Sequence, residues 1–141
     1  MIGAFTMATI KRKKATEHLE SMKAIAAEHN SNQKNPMIYK ILAVFGSYAN
    51  SDKEILGDLD IGLKIALRNP GVMSPPEANL RQGELLNVDP RYKNMIETLF
   101  LGEHAMRTLL KNRRKLINLH DFDEVIREEY PHHVFFEYSP G

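Results

Sequence analysis

The segment from Ile38 to Ile65 constrains the fold more than any other part of the chain. It contains an apolar run at 38–45, a Gly-Ser pair, a short polar stretch and a second apolar run that carries two aspartates, Asp58 and Asp60, on alternate positions. Apolar runs of this length, bounded by glycine and polar residues and rich in β-branched and aromatic side chains, are typical of strands. The sequence therefore predicts a strand, a turn and a second strand that begins at the aspartates.

The two aspartates are expected to share one face of the second strand. Side chains alternate along a strand, so Asp58 and Asp60 project from one face while Leu59 and Ile61 project from the other. Two carboxylates on one face repel each other, and a bound divalent cation removes the repulsion. Mg²⁺ is held in proteins by one or two carboxylates together with substrate phosphates. We therefore expect Asp58 and Asp60 to be metal ligands and catalytic residues.

The spacing of these groups resembles a family pattern. Gly46-Ser47 is followed by ten residues and then by Asp58-Leu59-Asp60. This Gly-Ser-x10-Asp-x-Asp arrangement in a strand-turn-strand context resembles the nucleotidyltransferase superfamily that includes DNA polymerase beta, and in particular its minimal, single-domain members.

The resemblance implies a role for each matched residue. Gly46 and Ser47 would open a short helix whose backbone N–H groups hold the triphosphate of a nucleotide, and glycine allows the close approach of phosphate. Asp58 and Asp60 would hold Mg²⁺ or Mn²⁺, which clamps the attacking and leaving oxygens. The implied reaction transfers a nucleoside monophosphate from an NTP, with ATP expected, to an acceptor hydroxyl.

The chain departs from the family pattern at the third strand, predicted over 115–120. Active members usually carry a third carboxylate there, which often serves as the base for the acceptor hydroxyl. Here the polar face of that strand offers Asn118 and His120, whereas Asp121 has the opposite parity. An asparagine oxygen can coordinate a metal but cannot accept a proton, while a histidine can accept one. A catalytically weak or inactive binding or regulatory module is therefore the alternative to an active enzyme.

The partner and the activity of the chain stay open at this point. The minimal members that the chain resembles include antitoxins that add AMP to a partner protein of an all-helical RNase family, which implies a helical partner protein and a toxin–antitoxin role. The third possibility is a plain α/β domain in which the Asp-x-Asp pair is incidental.

A formal net charge of +1 gives no bulk basic field, so a nucleic-acid partner is neither favoured nor excluded. A homodimer also remains open.

The rest of the chain predicts one domain over 1–141. Residues 1–14 are expected to be a disordered lead-in that ends in the basic cluster Lys11–Lys14, and Thr16 is the predicted N-cap of a helix that continues to about His29. The segment 68–88 is rich in turn residues and is predicted to be a mobile loop or insertion, with a short helix over 77–86.

The remaining elements follow from periodicity and end signals. Asp89-Pro90 predicts the start of a long helix that continues to about Asn112. A strand over 115–120, a helix over 122–130 and a strand over 133–138 complete the order. This order predicts an α/β fold, a single nucleotidyltransferase-like mixed sheet with helices packed mainly on one face.

Composition sets the outer limits. The chain has no cysteine, which excludes disulfides, thiolate metal sites and a cysteine nucleophile and is typical of cytoplasmic proteins. No apolar run is long enough to cross a bilayer, and the first residues lack the pattern of a signal peptide. We therefore expect a cytoplasmic location and no membrane partner.

Overall fold

A computed structural model describes residues 8–88, 94 and 99–140 of the chain. Within these residues the helices are α1 Arg12–Ser31, α2 Ser47–Asn50, α3 Pro75–Leu85, α4 Leu101–Lys111 and α5 Phe122–Arg127. The strands are β1 Ile10–Lys11, β2 Met37–Phe45, β3 Ile55–Leu56, β4 Leu59–Leu67, β5 Ile117–Asp121 and β6 His132–Glu137.

The main sheet is mixed. Its strand order is β5-β4-β2-β6, and β1 pairs with β3 in a separate two-stranded sheet. Strand β2 is antiparallel to both β4 and β6, whereas β5 runs parallel to β4. The predicted mixed α/β fold is confirmed.

The core lies on one face of this sheet, where α1 and α4 cover it. Alternate side chains of the two central strands point to this face, and the helices supply the opposing layer. The buried members of the cluster include Tyr39, Leu42 and Val44 from β2, Leu59, Ile61 and Leu63 from β4, Leu19, Met22 and Ala26 from α1, and Met106 and Leu110 from α4. Burying each such side chain contributes roughly 1.5–3 kcal/mol to folding.

The short helix α5 packs on the second face of the sheet. A Cβ atom at Gly62 of β4 would lie 3.0 Å from Val125 Cγ2 and 3.4 Å from Phe122, so α5 lies directly on the strand backbone. Further along β4, Lys64 Nζ pairs with Asp123 Oδ1 at 3.0 Å. Helix α5 therefore covers the middle of β4 on this face.

The loop between α1 and β2 is fixed by side chains that bind backbone. The Asn30 amide donates to the Tyr39 carbonyl at 2.8 Å, and Tyr39 N–H donates to Asn30 Oδ1 at 2.9 Å. The Arg68 guanidinium donates to the carbonyls of Asn30, Asn32 and Asn35. These bonds hold the carboxyl end of α1 against the start of β2.

The helix predicted from Thr16 begins earlier, at Arg12, and the predicted cap is wrong. Lys11 is the N-cap residue, and Arg12 N–H donates to the Glu54 carbonyl at 2.7 Å. The pairing of β1 with β3 therefore fixes the start of the helix. The Thr16 hydroxyl donates instead to the Arg12 carbonyl within the first turn, at 3.1 Å.

Two other predictions concern the segment after β4. The short helix predicted over 77–86, within the segment 68–88, is confirmed as α3, which begins two residues earlier, and Ser74 caps it by accepting from Glu77 N–H. Pro75 and Pro76, which indicate a turn in isolation, occupy the first helical positions, where proline is tolerated. The predicted helix start at Asp89-Pro90 lies outside the described residues. Among the described helices, none has the length and apolar character needed to cross a membrane.

Candidate functional site

The aspartate pair lies where β4 begins, between β2 and β5. Asp60 is opposite Phe45 of β2 on one side and opposite Asn118 of β5 on the other. Its neighbours Leu59 and Ile61 are fully buried in the core. Asp58, just before the strand, is exposed, and Asp60 is partly exposed. The alternation of β4 therefore directs both carboxylates to the second face of the sheet.

Asn118 joins the two carboxylates. Its side-chain amide donates to Asp58 Oδ2 at 2.6 Å and approaches Asp60 Oδ1 at 3.5 Å. The parallel register of β4 and β5 produces this contact, because Asp60 and Asn118 are directly paired. Three polar side chains from two strands thus converge at one point, and the amide donor reduces the repulsion between the acids.

His120 stands on the other side of Asp60. Its Nε2 lies 3.3 Å from Asp60 Oδ1, and its Nδ1 lies 4.0 Å from Glu124 Oε2. The ring meets Phe45 edge to face, with centroids 5.0 Å apart. Asp60 is therefore flanked by an amide and an imidazole that β5 supplies on alternate positions, as the parity of the sequence predicts.

Gly46 brings backbone against the Asp60 carboxylate. It has φ +74° and ψ −152°, and a Cβ atom there would lie 2.6 Å from Asp60 Oδ2. Its carbonyl accepts from Ala49 and Asn50 N–H, at 3.1 and 3.0 Å, and so begins the short helix α2. Ser47 is the first residue of that helix and is exposed. The Gly-Ser turn and the Asp-x-Asp pair, separated in the sequence, are therefore adjacent in the fold.

Arg12 holds the segment that follows the Gly-Ser pair, a role that the sequence did not indicate. Its guanidinium donates to the carbonyls of Tyr48, Ser51 and Lys53 at 3.0, 2.7 and 2.8 Å. Its Cζ also lies 4.6 Å from the centre of the Tyr48 ring. Four successive cations at 11–14 gave no signal that would single out Arg12. The contact depends on the β1–β3 pairing, which only the fold reveals.

Asp121 does not supply a third carboxylate. It is exposed at the end of β5 and is opposite Leu63, which faces the core side of β4. The pKa of Glu103 in α4 is raised mainly by burial. The charge of Arg107 lowers that pKa, and the charge of Asp121 raises it slightly. Within 8–88, 94 and 99–140, no three His, Asp or Glu side chains group as metal ligands.

The donor set nevertheless fits one Mg²⁺ ion better than a pair of ions. Asp58 and Asp60 offer carboxylate oxygens, and rotation of the Asn118 amide would add a third oxygen. Mg²⁺ prefers oxygen ligands and is commonly bound through one or two carboxylates plus phosphate and water. The two negative charges of the carboxylates neutralise a single divalent ion. A site for two ions and a triphosphate would be better balanced by a larger number of carboxylate ligands.

Comparison of the chain with models of protein families, with curated proteins and with solved structures finds no match in any of the three. A functional interpretation therefore depends on the residues of this chain and their geometry.

Proposed function

We propose that this protein binds an NTP, with ATP expected, together with Mg²⁺, and transfers its nucleoside monophosphate to an acceptor hydroxyl. One observation carries the proposal, namely the contact between the Gly46 backbone and the Asp60 carboxylate. A turn without a Cβ atom beside two acidic side chains is the combination needed to hold phosphate and a divalent cation within one site.

Each residue of the site has a distinct role in this proposal. Asp58 and Asp60 hold Mg²⁺, which would neutralise phosphate charge and polarise the bond to be broken. Gly46 allows the phosphate chain to approach the backbone, and Ser47 offers an exposed hydroxyl and N–H group beside it. Asn118 orients the two carboxylates through its amide, at 2.6 Å from Asp58 and 3.5 Å from Asp60.

A second candidate function is a binding or regulatory module that holds nucleotide without efficient turnover. The observation that favours it is Asn118, an uncharged side chain at the position opposite Asp60. Asparagine cannot take the proton of an acceptor hydroxyl, and Asp121 lies on the other side of β5. Both candidates fit a cytoplasmic protein, and a helical partner protein remains the proposed acceptor or regulated partner.

Nucleotide binding is tested by titration calorimetry of ATP, with and without Mg²⁺. We expect Mg²⁺-dependent binding in the wild type and a loss of at least about tenfold in affinity in the Asp58→Asn/Asp60→Asn variant, because the ion would lose both carboxylates. The matched control, Glu20→Gln/Glu28→Gln, removes two exposed acids from α1 and should bind as the wild type does. Equal binding by the aspartate variant and the wild type would reject the metal site.

Turnover separates the two candidate functions once binding is established. Incubation with ATP labelled at the α-phosphate, alone and with a cell lysate as the source of acceptors, should yield a labelled product if the protein is a transferase. Mg²⁺-dependent binding with no labelled product and no pyrophosphate release supports the binding module instead.

A further inference from the structure

A basic cleft of about 500 Å³ lies between the start of α1 and the segment that leads into β5. Its cations are Lys11 and Lys14 on one side and Arg114 and Lys115 on the other, with His18 beside them. Ile10 and Leu116 provide an apolar floor. No aspartate or glutamate is among the described residues that line this basic cleft, although Lys14 Nζ pairs with Glu17 Oε2 at 3.5 Å at its edge.

The two basic segments are brought together by specific contacts, although about 100 residues separate them in the sequence. The Arg114 guanidinium donates to Ser21 Oγ and lies 3.5 Å from the His18 carbonyl, so that it is bound to α1. Lys11 is held in β1, opposite Ile55 of β3. The cleft is therefore built by tertiary structure and is not a run of neighbouring lysines.

The cleft is positive although the whole chain is close to neutral, with a formal net charge of +1. The first turn of α1 has no acidic residue, and Lys11 makes no side-chain capping bond. The positive end of the helix dipole therefore adds to the lysine charges. Burial lowers the pKa of His18, the charges of Arg114 and Lys14 lower it further, and Glu17 raises it.

One side of the cleft is tied to the main sheet. Leu59 N–H donates to the Leu116 carbonyl at 2.8 Å, so the segment that carries Lys115 and Leu116 is fixed to the start of β4. The position of these two residues is therefore set by the sheet.

We propose that this basic cleft binds the phosphodiester backbone of a single-stranded nucleic acid. Four cations on two segments suit a chain of several phosphates better than a single anion, and the apolar floor suits sugar and base contacts. The proposed binding of nucleic acid in the cleft does not depend on whether the protein transfers nucleotides.

The test is fluorescence anisotropy with a labelled single-stranded RNA of about 12 nucleotides at about 50 mM salt. The variant Lys11→Gln/Lys14→Gln/Lys115→Gln removes three exposed charges and keeps Arg114, which is bound to α1. We expect its affinity to fall at least about tenfold and the slope of log affinity against log salt to decrease by about two.

The matched control is Lys23→Gln/Lys34→Gln/Lys40→Gln, which removes the same charge from exposed positions outside the cleft. It should bind RNA within about twofold of the wild type, because charges beyond a Debye length of roughly 8–10 Å contribute little. Circular dichroism melting of both variants verifies that the fold is retained.

Four outcomes decide the proposal. No RNA binding by the wild type, or equal loss in the two lysine variants, overturns it. Binding to phosphatidylserine vesicles without binding to RNA also overturns it. Persistent RNA binding by Asp58→Asn/Asp60→Asn supports the cleft whatever the result for nucleotide transfer.

Discussion

At the scale of single residues, Gly46 occupies a position that only glycine fits. Its φ of +74° is strained for other residues, and a Cβ atom would lie 2.6 Å from Asp60 Oδ2. We expect Gly46→Ala to lower the free energy of unfolding by about 1–3 kcal/mol and to weaken Mg²⁺-ATP binding, because Asp60 must move. Urea denaturation and calorimetry measure the two effects.

Two other glycines separate the causes of that effect. Gly71 has φ +90° with open space around its Cβ position, whereas Gly57 has neither a positive φ nor a neighbour within 4 Å. Gly71→Ala should therefore show the backbone strain without the loss of nucleotide binding, and Gly57→Ala should show neither. If Gly46→Ala binds nucleotide as well as Gly57→Ala does, Gly46 is not part of the site.

His29 links stability to pH. It is 6% exposed, its Nε2 lies 3.0 Å from the Met37 carbonyl, and its ring meets Tyr39 edge to face. Burial lowers its pKa, with a smaller lowering by Arg68, against the raising effects of the bonds to Met37 and Gln82. The folded protein therefore binds fewer protons at His29 than the unfolded chain does, in which the histidine has a pKa of 6.5.

The consequence is a loss of stability on acidification. The contribution of neutral His29 to the free energy of unfolding is fully present above pH 6.5. It is lost as the pH falls toward the pKa of the folded state, by at most about 1.4 kcal/mol per pH unit. We expect urea midpoints measured between about pH 7.5 and 5.5 to decrease in the wild type and to change less in His29→Gln. If the urea midpoints of the wild type and His29→Gln decrease equally with falling pH, groups other than His29 cause the loss of stability.

At the scale of elements, α1 and the segment after Gly46 behave as one unit through Arg12. Three carbonyls accept from its guanidinium, a geometry that the single ammonium group of lysine cannot reproduce. Arg12→Lys should therefore lower the free energy of unfolding by about 1–3 kcal/mol and increase proteolysis within 48–54.

Arg127→Lys is the control for Arg12→Lys, because Arg127 is exposed at the end of α5. Limited proteolysis followed by mass spectrometry locates the cleavage sites. Cleavage within 48–54 at the wild-type rate in Arg12→Lys would show that the segment is held by other contacts.

The elements differ in how far the sequence predicts them. The apolar runs of β2 and β4 predict those strands within two residues at each end, because both runs are long and lie at the centre of the sheet. The register shift between Tyr39 and Ile41 is not indicated by the sequence. The parity of β5 likewise places Asn118 and His120 beside Asp60. The start of α3 is harder to predict than its body, because Pro75 and Pro76 are equally compatible with a turn; in the structure they are the first residues of the helix, and Ser74 is its cap.

At the scale of the whole molecule, contacts distant in sequence are what the sequence does not predict. Nothing local relates Ser21 to Arg114 or Arg12 to Ser51. Both contacts follow from the pairing of β1 with β3 and from the packing of α1. The adjacency of Gly46 and Asp60, in contrast, follows from a short connection between two antiparallel strands, in which Phe45 pairs with Asp60.

The parallel pairing of β5 with β4 has a consequence for the order of assembly. The β2–β4 pair closes a short loop and is local, whereas the site also needs Asn118, which is 60 residues from Asp58. Parallel pairing requires a long crossover, and distant contacts form slowly because closing the loop costs entropy. A nascent chain that has left the ribosome only as far as Leu67 carries both aspartates without Asn118 or His120. Completion of the site thus coincides with the docking of the last third of the polypeptide.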